Sequence, residues 1–232
     1  MKNNKIVIIG ARGGSKRVYN KNIRNLGKYP LIGHTLITAN LLGYPTYVSS
    51  DSDIILDTVE EFKKNLHNEK IHLIKRPKEL ASDEATDIDW IKHLLTEHYK
   101  SHNNFPEQLI FLRPTTPFRD VKIVRKAIEQ FDSIRYSSLR SAHELSESGF
   151  KTFIINNGYL QPLSRCDVDK PNQLVPPTYS GNGYVDILDP KQILEFNTLY
   201  GNSIQPFVTP YTVEIDTEED IKYANWLLQE RK

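Results

Sequence analysis

The sequence has one cysteine, one methionine and two tryptophans in 232 residues, no long apolar run, and no surplus of charge of either sign. A single thiol, Cys166, excludes an intramolecular disulfide framework. Flanked by Arg165 and Asp167, it reads as an incidental surface thiol rather than a nucleophile. Thirty basic residues against 29 acidic ones leave a net charge of +1. That balance gives no global case for nucleic acid or a membrane surface as partner, so any affinity for anions has to be local. No internal repeat, low-complexity tract or membrane-spanning stretch is present. The N-terminal MKNNKIVIIG runs into a strand rather than into an apolar signal segment with a small-residue cleavage site, so the expected compartment is the cytoplasm. The length fits a single α/β domain over 1–232, able to bury about 70% of its unfolded surface.

Glycine is scarce as well, with 11 in the chain, yet three of them fall in one stretch, KIVIIGARGGSKRVYNKN from Lys5 to Asn22. Ile6, Val7, Ile8 and Ile9 form a continuous β-branched run suited to a strand buried on both faces of a parallel sheet. Gly10, Gly13 and Gly14 follow, interleaved with Arg12, Lys16, Arg17 and Lys21, and no acidic residue occurs between Lys5 and Asn22. Glycines let backbone N–H groups approach a phosphate, and guanidinium and ammonium groups add charge-assisted hydrogen bonds. The stretch is therefore an expected anion trap. It matches neither G-x-x-x-x-G-K-[ST] nor G-x-G-x-x-G, and a solvated basic turn after an edge strand is the alternative.

Further along, Leu31 to Leu42 has helical spacing and stops at Gly43, and Thr46 to Ser50 reads as a strand, completing a β-α-β unit. Ile54 to Leu66 is a second amphipathic helix, Ile71 to Ile74 a third strand, and Thr86 to Tyr99 a helix with Ile88, Ile91, Leu94 and Leu95 on one face. Leu109 to Leu112, LIFL, is a second continuous apolar run, expected beside the first strand at the sheet centre. It exits into Arg113-Pro114-Thr115-Thr116-Pro117-Phe118-Arg119-Asp120, whose two hydroxyls and two guanidiniums are expected to face a ligand beyond the strand ends. Val121 to Phe131 resumes as a helix. The alternation predicts an α/β fold with a mostly parallel, Rossmann-like sheet flanked by helices. From 133 to 177 the pattern loosens into short β-like runs and polar turns, expected as a small β-rich excursion from the sheet.

Five segments in order, ARGGSKR with NKN, RPKELASDEATDID (Arg76 to Asp89), LRPTTPFRD (Leu112 to Asp120), Asn182-Gly183 and VEIDTEEDI (Val213 to Ile221), resemble those of the acylneuraminate (CMP-sialic acid synthetase) cytidylyltransferases. The resemblance spans nearly the whole chain. It implies a nucleotide-diphospho-sugar transferase-like fold and transfer of CMP from CTP to the anomeric hydroxyl of an eight- or nine-carbon 2-keto sugar acid, with release of pyrophosphate. Position by position, it places Arg12, Gly13, Gly14, Ser15, Lys16 and Lys21 around the triphosphate and Asn22 at the nucleoside, with Arg12, Lys16 and Lys21 stabilising the departing pyrophosphate. Arg76, Ala85 and Asp87 fall at cytosine-contacting positions. On residue chemistry alone, Ser82-Asp83 reads as a helix N-cap and Asp87 as a first-turn acid.

On the sugar side the resemblance implies Arg113, Thr115, Lys151, Asn182 and Asp186. It also implies a homodimer formed through the 133–177 excursion. Three positions depart from the family pattern: Arg113 stands for a glutamine, Asn172 for an arginine and Asp186 for a tyrosine. Unpaired, such groups cost on the order of 1–3 kcal/mol each, so the departures favour a relative such as legionaminic or pseudaminic acid over N-acetylneuraminate.

Val213 to Asp216 alternates apolar and acidic. On a strand, Glu214 and Asp216 would share a face, about 7 Å apart at Cα, a pair suited to Mg2+, which binds through one or two carboxylates plus substrate phosphates. Asp216 is also a candidate base for the anomeric hydroxyl, and Thr217 is expected to cap a helix begun by Glu218, Glu219 and Asp220. Two alternatives stay open: a nucleotidyltransferase for another sugar, either a Kdo-type acid or a sugar 1-phosphate, and a non-enzymatic nucleotide-binding module.

Overall fold

The computed structural model describes residues 4–133, 136–164 and 168–230. Cys166 lies outside them. β1 (Lys5–Gly10) is followed by a 3-10 turn at Lys21–Ile23 and a two-residue ribbon of β2 (Asn25–Leu26) and β3 (Tyr29–Pro30). Then come α1 (Leu31–Leu42), β4 (Thr46–Ser50), α2 (Asp53–Leu66), β5 (Ile71–Lys75), α3 (Asp87–His102), β6 (Gln108–Phe111) and α4 (Val121–Ser133). The second half adds β7 (Ser138–Glu144), a hairpin of β8 (Phe153–Asn156) and β9 (Tyr159–Pro162), β10 (Tyr179–Leu188), α5 (Pro190–Phe196), β11 (Ile204–Val208) and α6 (Glu218–Glu230).

The central sheet has seven strands in the order β11-β7-β10-β6-β1-β4-β5. All run parallel except β10, which is antiparallel to both neighbours. As the two apolar runs require, β1 and β6 are adjacent near the centre. Ile6 and Ile8 join Trp90, Ile91, Leu94 and Leu95 on one face, while Val7 and Ile9 join Ile32, Leu36, Val59 and Val124 on the other. A third cluster, Val18, Leu26, Leu31, Val213, Ile215 and Ile221, seats α6 beside the loop after β1.

Local signals set several boundaries. α1 ends where Gly43 takes φ 81°, a left-handed conformation that costs glycine little. α3 starts one turn later than Ser82-Asp83 would place it. Its N-cap is Thr86, whose capping box with Asp89 satisfies both ends of the first turn, while Ser82 closes a 3-10 turn at Lys78–Ala81. α6 begins as expected, with Thr217 Oγ1 accepting the Asp220 N–H and Asp220 accepting the Thr217 N–H.

The expected excursion over 133–177 narrows. Residues 138–144 are β7, a full member of the main sheet between β10 and β11. Polar residues in β7 disguise it: Ser138 and Ser141 are buried, their hydroxyls bonded to the Tyr200 and Asn182 carbonyls. What leaves the sheet is the hairpin β8–β9. Lys151 closes a 3-10 turn at Gly149–Lys151 before that hairpin.

Candidate active site

Strand order reverses between β1 and β6, since β4 and β5 lie to one side of β1 and β6 to the other. Open α/β sheets bind ligands beyond the carboxyl ends of the strands at such a point. A cleft of about 400 Å³ lies there, lined by Gly10, Arg12, Ser15, Lys16, Arg17, Val18, Lys21 and Asn22 after β1, and by Asp87, Phe111, Arg113, Pro114 and Thr115. A wider cavity of about 1060 Å³ at the opposite ends of the strands, around Tyr47, His72, His98 and His102, has no comparable glycine-rich turn.

The loop after β1 is held by partners distant in sequence. Gly10 packs against Trp90, so that a Cβ there would lie 2.7 Å from Trp90 Cζ2. Gly13 donates its N–H to Asp51 Oδ1 at 2.8 Å, Gly14 turns at φ +64°, and the Asn22 amide donates to the Arg12 carbonyl at 2.9 Å. The cations are all engaged. Arg12 bonds the Ser82 carbonyl at 3.0 Å and approaches Asp83 at 3.3 Å, and Lys16 pairs with Asp83 as well. Lys21 and Arg17 both meet Asp216 Oδ1, at 2.9 and 3.2 Å. The hydrogen bond from Lys16, seconded by its charge and that of Arg12, holds the Asp83 carboxyl below the usual range.

Arg76 lies behind the cleft. It is buried, bonded to Ser49 Oγ at 3.1 Å and to the Ser49 carbonyl at 2.9 Å, with its guanidinium 4.9 Å from the centre of the Trp90 ring. Burial lowers the guanidinium to about 10, against the pull of Asp51 and Asp87. Asp87 accepts from Trp90 Nε1 at 2.9 Å and faces Arg113 at 3.2 Å. Ala85 sits in the turn before α3 with its N–H on the Ser82 carbonyl.

At the β6 exit, Arg113 pairs with the fully buried Asp186 and lies 4.2 Å over the Phe111 ring, while Tyr200 donates to Asp186 Oδ2 at 3.0 Å. Burial opposes the Arg113 charge, but Asp186 above all, then Tyr200 and Asp87, hold that guanidinium well above its ordinary value. Tyr200 is pushed up to about 12 by burial and by Asp186. Two of the departures from the family pattern thus pair with one another through Asp186 Oδ2. The third, Asn172, lies in a surface turn and donates to the Ser146 carbonyl at 3.1 Å.

Several expectations change here. Arg119 does not face a ligand. Its guanidinium is buried and bonds the carbonyls of Tyr184, Gly183 and Arg113 and the Thr35 hydroxyl, bracing the loop that carries Arg113, and burial lowers it to about 9. Asn182 is buried, donating to Thr209 Oγ1 at 2.9 Å and accepting the Tyr184 N–H. Neither it nor Lys151, which bonds the Lys170 carbonyl, lines the cleft. Residues 213–216 are not a strand, because a single hydrogen bond, Ile215 N–H to the Thr115 carbonyl at 2.7 Å, replaces a ladder. Their alternation survives, with Val213 and Ile215 buried, but the carboxylates serve different places: Glu214 accepts the Gly183 N–H at 2.6 Å and Asp216 meets the loop cations. Asp51, Trp90 and Tyr200 escaped the sequence reasoning, since nothing local to them announces their long-range partners.

Among the described residues, no group of three or more His, Cys, Asp or Glu side chains converges as a metal site. The oxygen donors of Asp216 and Glu214 fit magnesium in kind, as an ion that takes few carboxylates and arrives with phosphates.

Fold and cleft together define an α/β protein with a glycine-rich, cation-lined cleft at the switch point of its sheet. A profile of the cytidylyltransferase family matches residues 6–136, and the chain belongs to that family. It is 27% identical to the CMP-N,N'-diacetyllegionaminic acid synthase of Legionella pneumophila, over 97% of this chain and 94% of that protein. It is 26% identical to the pseudaminic acid cytidylyltransferase of Campylobacter jejuni, over 98% and 96%. An N-acylneuraminate cytidylyltransferase of Streptococcus agalactiae is 26% identical over 93% of this chain, which spans about half, 51%, of that relative's length. Among solved structures, a CMP:2-keto-3-deoxy-manno-octonic acid synthetase complexed with CTP superposes with a TM-score of 0.74 at 14% identity, covering 98% of this chain and 99% of the other. That likeness shows the fold.

Proposed function

We propose that this chain transfers CMP from CTP to the anomeric hydroxyl of a nine-carbon 2-keto sugar acid, releasing pyrophosphate. The observation that carries this is the four-cation, glycine-rich loop at the switch point of a cytidylyltransferase fold. On binding, phosphate oxygens take the places that the Asp83 and Asp216 carboxylates hold beside Arg12, Lys16, Arg17 and Lys21, with Ser15 and the loop amides adding donors. The acceptor's anomeric oxygen attacks the α-phosphorus and the bond to the bridging oxygen breaks in line. Pyrophosphate departs against the same cations, and the hydroxyl proton passes to the Asp216 carboxylate, directly or through one water. Magnesium, which Asp216 would hold together with the substrate phosphates, would supply positive charge there. Positioning and fixed charge supply most of the acceleration, as in other phosphoryl-type transfers.

Relatives matched over nearly their full length are named for legionaminic and pseudaminic acid. Together with the Arg113–Asp186 pair, this favours an acceptor of that kind over N-acetylneuraminate. A homodimer through the hairpin β8–β9 and a cytoplasmic location belong to the same proposal. Among the described residues, no helix is long and apolar enough to cross a membrane.

The test is pyrophosphate release with CTP, magnesium and a panel of 2-keto sugar acids. Turnover is expected with a legionaminic- or pseudaminic-type acid and lost in Asp216→Asn, with thermal unfolding unchanged. CTP binding without turnover for any acid would leave only a nucleotide-binding module.

A further inference from the structure

Five cations line the cleft, and they arrive from two places. Arg12, Lys16, Arg17 and Lys21 come from one short loop, a density suited to a polyphosphate. Arg113 comes from the exit of β6, and it is built differently. The loop cations are largely exposed or pair with exposed acids, whereas Arg113 is held from beneath by Asp186, which is 0% exposed, and braced by Asp87 and Tyr200. It lies 4.2 Å over the Phe111 ring, and its hydrogen bonds among the described residues run from Nη1 and Nη2.

The support continues one strand further. Arg140 is the cross-strand partner of Asp186 and lies 4.5 Å over the Tyr200 ring. Within this cluster Asp186 Oδ1 and Arg140 Nε are buried without a partner among the described residues. Burying such a set of charges is weak support for stability. A guanidinium braced in this way at the edge of a cleft is well suited to bidentate recognition of a carboxylate.

A 2-keto sugar acid brings a second anion to a site whose loop cations are taken up by the triphosphate. We infer that Arg113 receives the acceptor's carboxylate and that Asp186 is the positioning residue that holds it in register. This rests on the proposed transferase activity and assigns its acceptor specificity to a pair of residues.

The experiment is steady-state kinetics on the intact chain with CTP and acceptor varied separately, using the best acid of the panel and its carboxamide analogue. Arg113→Gln is expected to raise KM for the acid about 10- to 100-fold while KM for CTP moves less than about twofold. Arg113→Lys should fall between, because an ammonium keeps the charge without the fork. Wild type should prefer acid over carboxamide by a similar factor, and the variant should lose that preference. Since Arg113→Gln strands a buried carboxylate, the double variant Arg113→Gln/Asp186→Asn serves as the folded control. It removes both charges, should unfold near the wild-type temperature, and should show the same loss of preference.

A rise confined to KM for CTP, or a preference for the acid kept in the folded double variant, would overturn the inference while the transferase activity stands. Wild-type enzyme that turns over no acid would bring both down.

Discussion

The loop from Lys5 to Asn22 contains no acid, yet in the folded chain its cations and one of its amides have carboxylate partners. Gly13 meets Asp51 across 38 positions and Lys21 meets Asp216 across 195. The cationic half of the site was legible because glycine and positive charge are concentrated in one stretch. The anionic half was not, because each acid sits in its own local context and reads there as a cap or a solvated side chain. The Arg113–Asp186 pair was visible as two separate anomalies, and its being one interaction is a fact of three dimensions. Gly10 shows the same limit. Its backbone needs no left-handed conformation, but a methyl group there would overlap Trp90 Cζ2 and Cε2, at 2.7 and 2.9 Å. Trp90 is buried and tied to Asp87, so Gly10→Ala is expected to cost about 1–3 kcal/mol of stability, measured by urea unfolding, and to weaken CTP binding in calorimetry by shifting the Asp87 side of the cleft.

At the scale of elements, β1, β4 and β5, the helices α1 to α3 and the β6–α4 unit follow from apolar periodicity and caps, and their ends fall within a few residues of where those signals place them, while the two-residue strands β2 and β3 carry no such signal. The second half of the sheet did not follow. β7 carries buried serines and reads only as a β-like run in the loosened stretch, β10 reads as an apolar strand after the glycines around Asn182 but without its place in the sheet, and β11, short with a proline, shows neither alternation nor a continuous apolar run. The hairpin β8–β9 is apolar yet exposed, with Ile155 and Tyr159 each at 79% and Leu160 at 69%. A lone two-stranded ribbon is marginal by itself in water, and contiguous apolar surface marks a contact. In the proposed homodimer this ribbon is the contact. Ile155→Glu/Leu160→Glu is expected to leave the unfolding temperature of the monomer fold within a few degrees and to shift the chain from dimer to monomer in light scattering. A dimer surviving the double change would place the interface elsewhere.

Across the whole molecule, four histidines are held below their ordinary value, chiefly by burial. His34 is partly offset by its bond to the Leu26 carbonyl, and His98 by that to Asn104. Lys63 and His102 add to the effect on His72, and Lys100 and Arg76 to that on His93, where Glu97 opposes it. A histidine whose folded value is depressed binds its proton more readily in the unfolded chain, so the unfolded state gains protons first as pH falls. Stability should therefore be level above about pH 7.5 and decline through about 6.5 toward the lower folded values, well above the range where the depressed carboxylates Asp83, Asp89 and Asp220 begin to protonate. Urea midpoints at pH 7.5 and 5.5 should differ in that direction, and His98→Gln, at a 3% exposed site, should flatten the slope. A midpoint unchanged between the two would refute the assignment.

The pairing of Lys16 with Asp83 and of Lys21 with Asp216 has a consequence for which anions gain entry. Each newcomer must evict a tethered carboxylate whose effective concentration is high, so a single negative charge gains little by the exchange. A chain of phosphates can displace both tenants at once. In the proposed reaction, once pyrophosphate has gone and only a lone phosphodiester is left behind, the two aspartates can reclaim their lysines, and the same competition that filters arrivals then hastens departure.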